Sequence, residues 1–177
     1  EHRNMPSYGG TLTRARLIEA FDDPATPDLV IQWVDQTKGE NALKADLGFG
    51  HFSYEARPGM SIITPPNVAL KFAGGGYLEG LFISVPWSSL RDKADYVLDR
   101  PLPHLPPQLN SGPVVDSTIN RSIHGLWNVS QAAGLGDTLL GDGLINVLLG
   151  RLLQLGDEPI PDPGKRAKLH TRKYAAV

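Results

Sequence analysis

Residues 57 to 67, Arg-Pro-Gly-Met-Ser-Ile-Ile-Thr-Pro-Pro-Asn, constrain the fold more than any other stretch, because they place a tight turn, one short strand and a second turn within eleven residues. Pro58 fixes φ near about −65° and Gly59 accepts positive φ, which are the requirements of a type II turn. Pro65-Pro66-Asn67 then blocks continuation of the strand. Ile62 and Ile63 between the turns are β-branched and apolar, as a sheet interior favours. This is one corner of a small β-barrel.

The same punctuation runs from Thr11 to about Pro86, with no helical period. Leu29 to Val34 is a mostly apolar run of strand length, and Asp35 to Asn41 is polar turn material. Phe49 to Glu55 alternates, with Phe52 and Tyr54 on one face and His51, Ser53 and Glu55 on the other. Val68 to Phe72 follows, then Gly74-Gly75-Gly76, suited to a tight hairpin, then Leu78 to Val85. Many short strands broken by 19 Gly and 15 Pro imply an antiparallel sandwich or barrel.

After Trp87 the character changes. Arg100 to Pro113 holds prolines 101, 103, 106, 107 and 113 and reads as an extended connector. Val115, Ile119, Ile123, Leu126 and Trp127 then share a face, predicting a helix over 114–133 that Gly134 ends. A second helix is expected from an N-cap near Asp137, with Leu140, Leu144, Leu148, Leu152 and Leu155 in one stripe and Ile145, Leu149 and Leu153 beside it. So wide an apolar face needs a second covering surface. Either the helix pair packs on itself and the barrel, or two copies meet there. From Asp157 a polar, Pro-rich linker leads to a basic tail from Lys165 to Lys173.

A chain of 177 residues suits one domain with an appended element. Its formal charge of −2 and pI near 6.2 give no general attraction to nucleic acid or anionic membrane. No cysteine is present, which removes disulfides and thiolate chemistry and fits a reducing compartment, so cytoplasm is the expected location. No run of 18 apolar residues or signal peptide is found, and no membrane partner is expected.

A barrel carrying Arg57-Pro58-Gly59 and Pro65-Pro66, a strand ending in Ser84-Val85-Pro86, a Pro-rich connector, and a helix containing Asp142-Gly143-Leu144-Ile145-Asn146-Val147-Leu148-Leu149-Gly150-Arg151-Leu152-Leu153 resembles the cupin-type effector domain of AraC-type transcription regulators over residues 10–156. That resemblance implies a barrel (11–100) binding a small effector, a connector (101–113), a helix pair (114–156) for homodimerisation, and a linker (157–177) toward a DNA-binding domain outside this chain; the N-terminal arm (1–10) is expected as a lid ordered by the ligand. The fold class it implies is mainly β with appended α, an antiparallel cupin-like jelly roll followed by a two-helix dimerisation element.

The second cupin signature, Gly-x5-Pro-x-Gly-x2-His-x3-Asn, is matched at Gly59 and Pro65 and lost at Asn67, Leu70 and Gly74, and leucine cannot bind a metal. His51 is single and too close to the turn to supply the first signature. The expectation is therefore a sensor with no metal, cofactor or catalytic residues, and not an enzyme. A stand-alone cupin enzyme, an isomerase or dioxygenase, and a binding module unconnected to DNA are the alternatives. If position 70 faces the interior, Leu70 and Phe72 point inward together, while Glu79, Leu81 and Ile83 share a face of their own strand. The ligand-binding candidates are Trp33, Phe72, Glu79 and Leu81, with Glu79 accepting a hydrogen bond from the effector. The dimer-interface candidates are Leu140, Leu144, Ile145, Leu148 and Leu152.

Overall fold

A computed structural model describes residues 1–17, 20–39, 42–48, 50–74, 76–98, 105, 107–131 and 134–157. Part of the Pro-rich connector (101–104 and 106) and the tail (158–177) lie outside the described residues. The elements in chain order are β1 (His2–Met5), β2 (Gly10–Leu17), β3 (Phe21–Asp23), β4 (Asp28–Lys38), β5 (Ala42–Asp46), β6 (His51–Glu55), β7 (Met60–Thr64), β8 (Leu70–Gly74), β9 (Tyr77–Pro86), α1 (Trp87–Leu98), β10 (Val114–Val115), α2 (Ser117–Val129) and α3 (Leu135–Asp157).

The turns around β7 are built as their residues dictate. Met60 N–H donates to Arg57 O at 3.2 Å with Gly59 at φ 85°, and Val68 N–H donates to Pro65 O at 3.3 Å with Asn67 at φ 62°. Asn67 is the one non-glycine residue at positive φ among the described residues, and asparagine tolerates that region better than most. One turn chemistry thus serves at both ends of β7.

All strand pairs are antiparallel, in a six-stranded sheet ordered β1-β2-β9-β4-β7-β10 and a four-stranded sheet ordered β3-β8-β5-β6. The larger sheet is the middle layer of three. One of its faces packs with the smaller sheet, joining Val34, Ile62 and Leu78 to Leu43, Leu70 and Phe72. Its other face packs on the helices, joining Ile31 and its cross-strand neighbours Ile63 and Ile83, with Leu81, to Ile119, Ile123, Leu148 and Leu152. A strand buried on both faces reads as a continuous apolar run, which is why Leu29 to Val34 shows no alternation. Ile62 and Ile63 bury themselves in opposite layers, each contributing about 2 kcal/mol of transfer free energy.

Three α-helices occur among the described residues, where the sequence pattern predicts two. α1 follows β9 directly and buries Leu90 and Ala94, with Trp87 partly buried; their spacing of three and four is helical, but the stretch is short and largely polar. α2 starts at Ser117 and not near 114, because Val114 and Val115 pair with Ser61 and Met60 of β7, leaving Val115 exposed and off the helix face. α3 starts at Leu135, and Asp137 is not its N-cap: its carboxylate reaches back to Gly134 N–H at 3.1 Å, the reverse arm of a capping box. The glycine link after β8 is no paired hairpin either, since β8 and β9 belong to different sheets. Gly74 closes β8, paired with Leu43 of β5, Gly76 lies just before β9, and Gly75 is outside the described residues.

Asp116 ties the helix pair together. Its Oδ1 accepts from Thr118 N–H at 2.8 Å and Ile119 N–H at 3.0 Å, and its Oδ2 accepts from Arg151 Nε of α3 at 2.9 Å. Burial pushes this carboxyl up, but the bonds from Ile119, Arg151 and Thr118 outweigh it and hold its pKa below the ordinary value. A carboxyl depressed in the folded state stabilises above its unfolded pKa, about 4, and the contribution is lost as pH falls through the lower folded value. Asp116→Ala is expected to cost about 2 kcal/mol at neutral pH in urea unfolding, and to flatten the stability lost below about pH 4.

Candidate functional site

The space between the two sheets is mostly apolar, with an amide and two hydroxyls at its edges. Tyr54, Ile62, Phe72, Leu78 and Phe82 surround Gln32, and about 10 Å³ of free space remains among them, room for one water at most. Gln32 is 6% exposed, and its Nε2 meets no hydrogen-bond acceptor. Thr64, buried on the same face of the larger sheet, has an unpartnered Oγ1. Such groups ordinarily find partners when buried, and leaving one without costs about 1–3 kcal/mol. Burial also pushes the Tyr54 hydroxyl up, so it stays a neutral donor and acceptor.

The middle sheet separates the four candidate ligand-binding residues. Phe72, 5% exposed, faces the intersheet space with Leu70 and stacks on Phe21 at 5.1 Å between centroids, the inward orientation expected for that pair. Trp33 and Leu81 pair across β4 and β9 and belong to the helix-side core. Trp33 donates its indole N–H to Asn120 Oδ1 of α2 at 3.0 Å and sets its ring against His124. Glu79 accepts from the Tyr77 hydroxyl at 2.7 Å and from Arg16 Nε at 3.3 Å, and these bonds, Tyr77 foremost, lower its pKa against the opposing effect of burial. Both bonds fall on Oε2, and the four side chains do not converge on one space. Sequence reading missed Gln32, whose signal was a lone amide inside an apolar strand.

The dimer candidates divide similarly. Ile145, Leu148 and Leu152 are buried against their own sheet and helices and present no surface, which corrects their placement at an interface. Leu144 is partly buried and crosses α2 at Gly125, where an added Cβ would lie 2.8 Å from Leu144 Cδ1. Leu140 is exposed. The outward face of α3 instead carries Leu135, Leu139, Leu140 and Val147, between 50% and 87% exposed, with Gly136, Gly143 and Gly150 among them. Among the described exposed residues of α3, within 135–155, no charge occurs. By length and composition, Leu135–Leu155 could cross a membrane; here one side of it packs on the sheet.

A second concavity, of about 340 Å³, lies between the N-terminal segment and the α2–α3 junction. The segment expected as a lid is an edge strand, β1 pairing with β2. Arg3, 3.5 Å above the Trp127 ring, donates to the Trp127 carbonyl and pairs with Glu1. Met5, Leu126 and Ile145 form the floor of the cleft, and Asp137 and Asp142 stand on its rim.

Among the described residues no group of three or more His, Cys, Asp or Glu is placed to hold a metal ion. His51 is exposed and pairs with Asp46 at 3.5 Å, and the signature position Leu70 is fully enclosed in the intersheet core.

No protein-family model and no curated protein matches the sequence. Solved structures with similar folds include ToxT from Vibrio cholerae, 12% identical over 92% of this chain and 65% of that one, with a TM-score of 0.48. They include a recombinant oxalate oxidase in complex with glycolate, 13% identical over 83% and 72%, TM-score 0.34. They also include HEPD of Streptomyces albus with 2-hydroxyethylphosphonate and Fe(II) bound, 16% identical over 64% and 23%, TM-score 0.37. Two of these three are enzymes, which corrects the expectation that the chain is not one: likeness of fold gives no ground for setting catalysis aside. Among the described residues the structure shows a β-rich, cupin-like arrangement of two antiparallel sheets backed by three helices.

Proposed function

We propose that this chain is the effector-sensing and dimerisation domain of a bacterial AraC-type transcription regulator, acting on DNA through a domain outside the chain. The resemblance of its turn, connector and helix motifs supports the family. The observation that carries the sensing role is the unpartnered Nε2 of Gln32 in a mostly apolar intersheet space. An effector with an apolar body and one hydrogen-bond acceptor would satisfy that donor, with Phe72 against its body.

Room for the effector comes from the smaller sheet. Its strands have three to five residues, whereas β4 has 11 and β9 has 10. Short strands hold fewer ladder bonds, so this sheet is the one that shifts. An effector that binds the opened form better moves the population toward it. The middle sheet touches both the effector space and the helices, and so is the element that couples them.

The test is Gln32→Leu, compared with the unaltered chain in a thermal-shift screen over sugars and aromatic acids. Removing an unpartnered buried amide should stabilise the unliganded protein by about 1 kcal/mol, while any compound that raises the melting temperature of the unaltered protein should lose its effect. A compound that stabilises both proteins equally would refute the assignment of Gln32.

A further inference from the structure

We infer that the cleft between the N-terminal segment and the α2–α3 junction binds an organic alkylammonium ligand, at a site separate from the intersheet space. Its volume of about 340 Å³ is within the range of small-molecule pockets. Its floor is apolar, with Met5, Leu126 and Ile145 each less than a tenth exposed. The charged side chains that line it are Asp137 and Asp142, with no cation among the lining residues. An apolar floor with anionic walls selects a cation attached to an apolar body and repels an anion.

The chain itself displays how such a cation would be held. Lys93 of α1 is not itself a lining residue, but it places Nζ 3.7 Å from the centroid of the Tyr8 ring and 3.4 Å from Asp142 Oδ2, two groups that line the cleft. A ring face and a carboxylate together form an ammonium site. Tyr8 is 3% exposed, and its hydroxyl donates to Asn146 Oδ1 at 3.2 Å, which fixes the ring. Burial, and then Asp142, push that hydroxyl up to about 12, so it remains neutral at physiological pH. Lys93 hangs on a flexible stem and is about a third exposed, so a ligand ammonium can replace it. The ligand's apolar body would then lie along Met5, Leu126 and Ile145, a contact that Lys93 lacks.

The experiment is calorimetric titration of the unaltered chain and its variants with 2-phenylethylamine, with 3-phenylpropionate as the anionic counterpart. The amine should bind saturably and the carboxylate should not. Lys93→Met removes the internal competitor and should tighten amine binding about threefold, whereas Asp142→Asn should weaken it about tenfold. Gln32→Leu should leave it unchanged, which separates this site from the intersheet one. Melting curves of each variant establish that it is folded. The inference is overturned by absence of saturable amine binding to folded Lys93→Met, by equal affinity for the carboxylate, by weakening on Lys93→Met, or by unchanged affinity in Asp142→Asn.

Discussion

Gly80→Ala should destabilise the protein by at least about 3 kcal/mol or prevent folding, the largest effect expected of any single methyl group in the chain. Gly80 lies in the middle of β9, paired with Ala15 of β2 on one side and Val34 of β4 on the other. The β4–β9 register shifts between Val34 and Gln36, and the Trp33 carbonyl oxygen stands where a Cβ on residue 80 would clash with it. That atom is backbone, so relief requires moving a central strand that is bonded on both sides. Overpacking of this kind is costly because the surroundings cannot give. Urea unfolding of Gly80→Ala against the unaltered protein measures it, and a loss below about 1 kcal/mol would show that the bulge is not as tight as described.

The second large effect is on association. Among the residues of α3 whose burial is described, the exposed ones are uncharged and include Leu135, Leu139, Leu140 and Val147 with Gly136, Gly143 and Gly150. The glycines recur every seven residues, so they keep nearly one line on the helix and admit the close approach of a second helix. A second copy is the occupant we propose, because one helix face packing on its own symmetry mate is self-complementary by construction. Leu139→Glu with Val147→Glu should raise the dissociation constant of the homodimer at least about 100-fold in sedimentation equilibrium. Both side chains are exposed, so the melting curve at low concentration should hardly move.

Gly143→Ala separates packing from helix propensity. Nothing lies within 4 Å of its added Cβ in the single chain. Alanine should therefore stabilise the isolated helix by about 0.8 kcal/mol, yet it should weaken the dimer if the glycine line is the contact. A chain that stays dimeric in the double glutamate variant would remove this face from the interface.

Much of the fold was legible because turn residues have local causes. Pro58-Gly59 and Pro66-Asn67 need no tertiary information to form their turns, and the alternation in His51–Glu55 needs only one buried face. What could not be read locally was which side of the middle sheet each residue faces. Trp33 and Leu81 share strand chemistry with Phe72, but the assignment of faces depends on two layers packing against one sheet, and an apolar run without alternation carries no parity signal. The same cause hid Gln32. The α3 stripe was visible as apolar, but the decision between its inward leucines and outward glycine-flanked ones rests on the crossing with α2 at Gly125. Asp116 escaped notice because Val114 and Val115 extend the apolar pattern of α2 backward into what is a strand.

Ile62 and Ile63 offer the most direct test of the sensing account, since they are neighbours in sequence and report opposite faces of the middle sheet. With δ1-methyl labelling and a compound identified by the thermal-shift screen, methyl NMR titration should perturb Ile62 strongly and saturably, with Ile63 and Ile119 responding less and with the same dissociation constant. Gln32→Leu should abolish the Ile62 response. A compound that moves Ile63 or Ile119 and leaves Ile62 in place would contradict the account, because its site would then lie on the helix side of the sheet.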